Sequence, residues 1–309
     1  MEHQGERSVQ RRTGFPDRPW GSARVDATVP RVAADFLDRQ RLVVIGAATP
    51  DGAVWAGPVT GDQGFATVLD ERTVAVRWSP RPGDPLAGVF EDEHDIGMIA
   101  IEPASRRRMR INGRARQVAD RLVVRTEQVY ANCPKYIQAR YIQARDVEPD
   151  PAGGGAGAAA ESGALSPDQR AWIAAADTFF VATRAPGMGA DASHRGGSPG
   201  FVTVTGEGRL TWPDYLGNSM YMTLGNLELD PHAGLLFLDW QRGRSLQLTG
   251  RASVDWDPQR AAGVPGAQRL VDFEVDRVVQ IDGAVPLRWT PPEYSRFNPG
   301  PNDQQEESA

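Results

Sequence analysis

The chain has 309 residues, of which 40% are hydrophobic and 24% charged, so it can bury a packed core and is not expected to be disordered throughout. Its net charge of −6 argues against general nucleic-acid binding, and its single cysteine, Cys133, excludes an internal disulfide, an Fe–S cluster and a cysteine-based zinc site. No apolar run is long enough to cross a bilayer, and the polar first residues lack the apolar stretch of a signal peptide. These features predict a cytoplasmic protein.

The first half of the chain is predicted to be an arm followed by a strand-rich domain. Residues 1–28 are polar, arginine-rich and broken by prolines, which is typical of an N-terminal arm. The domain, residues 29–148, begins with helical spacing over 30–40 and ends with a glycine-free stretch, 121–145, that predicts a helix interrupted at Pro134. Between these helices lie six β-type runs: 42–47, 54–58, 64–69, 73–78, 96–101 and 109–116.

The second half begins after a Gly/Ala-rich linker at residues 149–166. A helix is expected next, with Ser166 as its N-cap and Pro167 in its first turn. Residues 167–285 form the second predicted domain, and the Pro-rich, then acidic residues 286–309 are expected to be a flexible tail. The β-type runs of this domain are 178–184, 201–205, 209–212, 234–239, 245–256 and 273–281.

An internal repeat with a period near 136 residues relates the two predicted domains. The sequence GFATV at 64–68 recurs as GFVTV at 200–204, and GRA at 113–115 recurs at 250–252, in the same order. A period this long indicates duplicated domains and not a solenoid. Six short strands with few helices predict a small barrel in each copy, because a closed barrel leaves no free strand edges. The expected fold class is therefore mainly β (α+β), with two tandem barrels in a pseudo-dimeric arrangement.

A candidate anion site lies in the second copy and has no counterpart in the first. Arg195 is followed by two glycines, which permit close backbone approach, and its guanidinium offers a planar fork to a phosphate. The Gly217-Asn218-Ser219 turn opens a predicted helical run, whose first N–H groups can receive an anion. On spacing alone, a salt bridge between Arg195 and Asp191 with simple capping by Asn218 fits slightly better.

Other candidate groups have weaker support from the residues alone. Arg108 and Arg110 share one strand face, where they complete an anion site or, more commonly, form a solvated basic surface. His194 is the best-placed acid–base candidate, although a histidine bonded within a turn is the commoner case. The GGSPG sequence at 196–200 is rejected as a serine nucleophile motif, because Pro199 has no N–H and a strand follows. The four histidines show no metal-ligand spacing.

The motifs around Arg195 resemble those of a known family. SHRGGSPGFV at 193–202, followed by GN at 217–218 and LGNL at 224–227, is similar to the FMN-binding split-barrel proteins related to pyridoxamine 5′-phosphate oxidase. NCPKYIQ at 132–138 and GERSVQRR at 5–12 resemble further stretches of the two-copy branch of that family, so that the resemblance covers most of residues 5–285. It implies two tandem split β-barrels with FMN bound between them.

The resemblance also implies roles for individual residues. Arg195 and the 217–219 turn are expected to bind the cofactor's phosphate, and Tyr215 and Asn226 to contact its ring or ribityl chain. Structural roles explain these residues equally well, with Tyr215 as a packed aromatic and Asn226 as a helix C-terminal cap. In the same way, Lys135 is explained as a surface lysine and Tyr136 as a packed tyrosine beside it. The cofactor-binding candidates are Arg195, Gly196, Gly197, Tyr215, Gly217, Asn218, Ser219, Asn226 and Lys135.

The function that the resemblance implies is that of an FMN-dependent oxidoreductase. Hydride or electron transfer would link a small organic substrate to the flavin, with oxygen or NAD(P)H as the redox partner. A non-catalytic flavin carrier or sensor, and a reductase that uses the deazaflavin F420, remain alternatives. Two halves of one chain could build the site that two chains build in single-copy relatives, and homodimerisation stays open.

Overall fold

The computed structural model describes residues 2–16, 20–22, 25–131, 134–143 and 159–300. This part of the chain forms two antiparallel sheets with five short α-helices. The strands of the first half are β1 Leu42–Ala48, β2 Val54–Thr60, β3 Ala66–Asp70, β4 Thr73–Arg77, β5 His94–Glu102, β6 Arg107–Val118 and β7 Arg121–Ala131. Those of the second half are β8 Ala160–Ser162, β9 Thr178–Ala185, β10 Gly189–Gly196, β11 Thr203–Thr205, β12 Arg209–Tyr215, β13 His232–Leu238, β14 Ser245–Asp255 and β15 Ala267–Ile281. The helices are α1 Gln4–Arg12, α2 Arg31–Asp38, α3 Pro167–Ala175, α4 Met222–Leu229 and α5 Pro258–Ala262.

The two sheets share one strand order. The first runs β2-β1-β5-β6-β7-β4-β3 and the second runs β10-β9-β13-β14-β15-β12-β11, with β8 added beside β15. Each strand of the first sheet thus has a counterpart at the same place in the second, as the predicted repeat requires. The predicted fold class, mainly β with two tandem barrel-like domains, is confirmed. None of the described helices is long and apolar enough to cross a membrane.

The repeated glycine of the GRA motif marks the same irregularity in both sheets. The β6–β7 pairing shifts register between Asn112 and Gly113, and the β14–β15 pairing shifts between Thr249 and Gly250. A Cβ at Gly113 would lie 2.1 Å from the carbonyl oxygen of the opposite strand, and one at Gly250 would lie 1.9 Å from it. Only glycine lets the strands stay paired at such a bulge.

The two halves pack against each other through glycines at equivalent positions. Gly97 of β5 lies against the backbone of Asp191 in β10, where a Cβ would come within 2.3 Å of the carbonyl carbon. Gly234 of β13 lies in the same way against Trp55 of β2, with the nearest approach at 2.6 Å. One apolar core runs across this interface and contains residues of both halves. Backbone contact this close leaves the halves little freedom to shift relative to each other.

The prediction of a helix over residues 121–145 is wrong. Residues 121–131 form strand β7, paired with both β6 and β4, and their burial alternates as in a strand with one solvated face. The absence of glycine does not distinguish a helix from a long strand, whereas the alternation of Leu122, Val124 and Thr126 is a period-2 signal. Cys133 lies outside the described residues.

Three other expectations about order along the chain need correction. The arm contains helix α1, which is docked on the second half. Residues 189–196, which none of the predicted β-type runs includes, form strand β10. Residues 286–300 are packed against the rest of the chain, since Trp289 is 3% exposed and Glu293 pairs with Ala139.

Candidate functional site

A cleft between the two halves collects most of the predicted site residues. From the second half come the ends of β10 and β12, the 216–221 loop and the start of α4, and from the first half come β6 and the 135–136 turn. The space between the atoms is about 910 Å³, part of it open to solvent. The predicted residues that line the cleft are Lys135, Tyr136, His194, Arg195, Gly196, Tyr215, Gly217, Asn218 and Ser219.

Two predicted residues lie outside the cleft lining. Gly197 donates its backbone N–H to the carbonyl oxygen of Asp177 over 3.1 Å, a contact within the fold. Asn226 is 3% exposed and accepts a hydrogen bond from His3 Nε2 at 2.8 Å, while its own amide donates to Thr183 Oγ1 at 2.9 Å. Asn226 therefore ties the N-terminal arm to the second sheet, and its position does not support contact with a ligand in the cleft.

The cleft concentrates positive charge in a chain that is acidic as a whole. Four cationic side chains line it, and Asp214 is the one carboxylate among the described lining residues. Such a cleft attracts anions and raises their local concentration. The four cations are Arg108, Arg110, Lys135 and Arg195.

Arg195 forms no salt bridge in the described part of the chain, although the charge of Asp214 acts on it. Its Nη1 donates to the carbonyl oxygen of His194 at 3.1 Å. The carboxylate of Asp214 is bonded to Arg269 at 2.7 Å, and Asp191, the partner expected from spacing, pairs instead with another arginine. Burial lowers the pKa of Arg195, which means that the surroundings disfavour its charge. An anionic ligand would offset this desolvation cost.

Asp191 forms a buried ion pair with Arg110 beneath the cleft. Arg110 Nη1 lies 3.1 Å from Asp191 Oδ2, and the two side chains are 10% and 1% exposed. Asn112 Nδ2 donates to the same carboxylate at 3.3 Å, and Ser193 Oγ donates at 2.9 Å. Because Arg110 and Asn112 belong to the first half and Asp191 and Ser193 to the second, the network joins the halves under the cavity.

His194 is held in the neutral form and does not fit the predicted acid–base role. Arg108 Nη1 lies 2.9 Å from His194 Nδ1, and since a guanidinium can only donate, Nδ1 is the acceptor and the ring proton sits on Nε2. Burial, followed by the charges of Arg108, Arg195, Arg110 and Arg140, holds the pKa of His194 well below its usual range. His194 therefore acts as a neutral acceptor that orients Arg108.

This environment predicts a pH-dependent stability with a definite sign. Below about pH 6.5 the unfolded chain protonates His194 and the folded chain does not, so acidification favours unfolding. One proton contributes about 1.4 kcal/mol per pH unit to the free energy of unfolding. Denaturant titrations between about pH 6.5 and 5 should show this loss in the native chain and not in a His194→Gln variant. Equal slopes for the two proteins would contradict a neutral His194.

The loop that borders the cleft has a strained backbone. Helix α4 begins at Met222, so the prediction that Gly217 opens the helix is wrong. Ser219 and Tyr221 have φ angles of 59° and 61°, in the left-handed region that side chains disfavour. Asn218 Oδ1 accepts from the backbone N–H of Met220 at 3.1 Å, which makes a turn and not a helix cap. The backbone N–H groups of residues 217–219, which were predicted to open a helix, therefore belong to a loop.

Two tyrosines, one from each half, form an aromatic wall of the cleft. The rings of Tyr136 and Tyr215 lie 5.0 Å apart at 36°, and the Tyr136 hydroxyl donates to the carbonyl oxygen of Leu216 at 3.2 Å. Burial raises the pKa of Tyr215 to about 12, so its hydroxyl stays protonated. A Cβ at Gly196 would lie 2.0 Å from the carbonyl oxygen of Tyr136. Gly196 is therefore required for the contact between halves that places Tyr136.

Residues from the first half were underrated by sequence reasoning. Arg108 and Arg110 were interpreted as a solvated basic face, yet Arg110 is 8% exposed and both line the cleft. A comparison of equivalent strand positions in the two copies identifies these arginines as unusual. Ile99 pairs with Arg110, as Leu236 pairs with Gln247, at the same distance from the repeated glycines. The first copy thus carries charged residues where the second copy carries neutral ones.

The two copies are related by pseudo-symmetry, so the cleft has an equivalent position elsewhere in the structure. At that position, side chains fill the space. Gly57 of β2, the counterpart of Ser193 in β10, faces Gln247 and the side chain of Leu86. Leu86 is completely buried and Asp84 is 8% exposed, and burial raises the pKa of Asp84. Residues 84–86 thus occupy the place that the cleft occupies in the other copy.

Comparisons with known proteins found similarity to one family model and to several solved structures. The family model described as pyridoxamine 5′-phosphate oxidase matches residues 165–293. No curated protein matches the chain. Among solved structures, HupZ of Group A Streptococcus is 12% identical, with 39% of this chain and 97% of that chain covered and a TM-score of 0.32.

Two further solved structures have the same level of similarity. A conserved hypothetical protein of Mycobacterium tuberculosis is 14% identical, with 38% of this chain and 86% of that chain covered and a TM-score of 0.31. An FMN-binding protein of Syntrophomonas wolfei is 12% identical, with 37% and 83% covered and a TM-score of 0.27. Over residues 165–293 the chain is thus similar to the pyridoxamine 5′-phosphate oxidase family, and the motifs at 193–202, 217–218 and 224–227 lie within this match.

Proposed function

We propose that the chain is an FMN-dependent oxidoreductase that acts on a small organic substrate. The observation that carries the proposal is the position of Arg195, a half-buried cation that forms no salt bridge within the described residues, in the same cleft as the 217–219 backbone. A phosphate monoester is an anion that accepts both charged and backbone hydrogen bonds, so this combination suits it. A carboxylate ligand would use fewer of these donors.

The remaining cleft residues suit the other parts of FMN. The Tyr136 and Tyr215 rings offer an aromatic surface for the flavin ring system. Arg108, oriented by neutral His194, contributes a further cation from the first half. When bound, FMN would supply the two-electron chemistry for which the described cleft side chains have no redox group. The chain itself would bind the phosphate, orient the ring and shape a substrate pocket.

Flavin binding is the first test of this proposal. The purified full chain should quench the fluorescence of added FMN with saturation, and mass spectrometry of the protein as isolated should detect FMN. Failure to bind FMN would reject the proposal, and tight binding of F420 in its place would favour the deazaflavin alternative. Oxidation of NADH or NADPH, or reduction of oxygen, by the flavin-loaded chain would distinguish an enzyme from a carrier or sensor.

The filled counterpart cleft predicts one FMN per chain in spite of two similar halves. Leu86 and Asp84 take up the second position, and Gln247 stands there in place of an arginine. Titration of a known protein concentration, followed by absorbance of the released flavin, should give a ratio near 1. The ratio refers to chains, so it does not depend on whether the chain dimerises. A ratio near 2 would show that residues 84–86 move aside and that the second position binds.

A further inference from the structure

The N-terminal arm, residues 2–16 and 20–22, is attached to the helix that follows the cleft loop. Helix α1 packs on α4 with Gly5 against Gly225, so closely that a Cβ at Gly5 would lie 1.9 Å from the carbonyl oxygen of Gly225. Val9 of the same helix is fully buried in the core of the second half. His3 adds its hydrogen bond to Asn226 of α4. The arm is thus a fixed part of the second domain.

The arm also bonds directly to the cleft loop. Gln10 Nε2 donates to the carbonyl oxygen of Ser219 at 3.2 Å and to that of Trp20 at 3.1 Å. Trp20 Nε1 donates to the carbonyl oxygen of Asn218 at 3.2 Å. Arg7 Nη1 donates to Gln10 Oε1 at 3.2 Å and so orients the glutamine amide. Two consecutive carbonyl groups of the loop are therefore held by side chains more than 190 positions away in the chain.

These hydrogen bonds are made to a part of the loop that has unfavourable backbone angles. Ser219 is in the left-handed conformation, as is Tyr221 two residues later. A non-glycine residue in this region has an unfavourable backbone conformation, which persists only where the surrounding contacts hold it. Asn218 supplies one bond from within the loop, through its side chain to the N–H of Met220. The bonds from Gln10 and Trp20 restrain the carbonyl groups of Ser219 and Asn218.

We propose that the N-terminal arm is a positioning segment that holds the 217–221 loop in its ligand-binding conformation, with Gln10 and Trp20 as the positioning residues. Neither residue lines the cleft, so each acts through the loop backbone. The inference rests on the proposed function for the identity of the ligand alone, because the arm's effect on the loop can be measured without any ligand.

The test uses the full-length chain with Gln10→Ala and Trp20→Phe, singly and together. Phenylalanine keeps most of the ring contact and removes the Nε1–H donor. Hydrogen exchange read by mass spectrometry should show faster exchange over residues 217–221 in the ligand-free variants. The FMN dissociation constant should rise about threefold to tenfold per lost bond, as expected for a hydrogen bond of ordinary net strength.

Gln4→Ala is the matched control, because Gln4 lies in the same helix with its side chain exposed. It should leave both readouts unchanged. If either positioning variant unfolds, its thermal melt will show this, and the other single variant carries the test. Unchanged exchange and unchanged FMN affinity in the double variant would overturn the proposal. If the native chain does not bind FMN, the proposed function fails while the exchange result still decides the role of the arm.

Discussion

Replacing Arg195 with alanine is expected to weaken FMN binding by about 1.5–3 kcal/mol, which is roughly a tenfold to 150-fold rise in the dissociation constant. The guanidinium is half-buried at the cleft and forms no salt bridge within the described residues, so an anionic ligand would receive a charge-assisted bond from it. Fluorescence titration of the native and variant chains measures the difference. The effect should shrink at high salt less than for an exposed arginine, because burial limits screening.

Riboflavin provides the sharpest control for this prediction, because it carries the same ring as FMN without the phosphate. Its affinity should change little in Arg195→Ala if the arginine binds the phosphate. Arg209→Ala is the matched protein control, since Arg209 is an exposed arginine of strand β12, which borders the same cleft, and is paired with Glu274. If FMN and riboflavin lose the same affinity, Arg195 contacts the ring and not the phosphate. If neither loses affinity, Arg195 is not part of the binding site.

The repeat carried most of the information about the fold that could be obtained from the sequence. The recurring GRA motifs at 113–115 and 250–252 indicate equivalent strands, and the structure places the same shift of register at both. Local patterns did less well where a strand was long or lay at an edge. The segment 189–196 is glycine-bounded and rich in small polar residues, so its strand character depends on pairing with β9. Pairing partners of this kind are not visible in local sequence.

The site residues that could be named from the sequence come mainly from the second copy. Arg195 and Asn218 were expected to meet, and the cleft contains both. Residues that reach the site from the other half were missed or underrated, because their contacts span large separations. Arg108 meets His194 across 86 positions, and Trp20 meets the 218 carbonyl across 198. Spacing rules apply within one element and cannot report such contacts.

The charges of the site serve two separate purposes. Arg195 and Lys135 face the cleft with no carboxylate bonded to them within the described chain, and thus are available to a ligand. Arg110 also lines the cleft, but its charge is balanced by Asp191, which lies on the inner side and has hydrogen-bond donors from both halves. Arg110 therefore connects the ligand cavity to the contact between the halves. A change at Asp191 should affect the folded state before it affects any ligand.

Asp191→Asn is accordingly expected to lower the free energy of unfolding by about 3–5 kcal/mol, because it leaves Arg110 buried with an uncompensated charge. Asparagine has nearly the same size, so the loss reports the charge and not a cavity. Denaturant unfolding followed by fluorescence measures it. The matched control is Glu274→Gln, which breaks the exposed pair with Arg209 and should cost about 1 kcal/mol or less.

A second variant separates the lost pairing from any other effect of the asparagine. Adding Arg110→Met to Asp191→Asn removes the stranded charge and replaces it with an apolar chain of similar length. Because a buried ion pair is often worth little against apolar groups of similar volume, the double variant should recover much of the lost stability. If Asp191→Asn costs no more than the surface control, or if the double variant is no better than the single one, the ion pair does not hold the two halves together beneath the cleft.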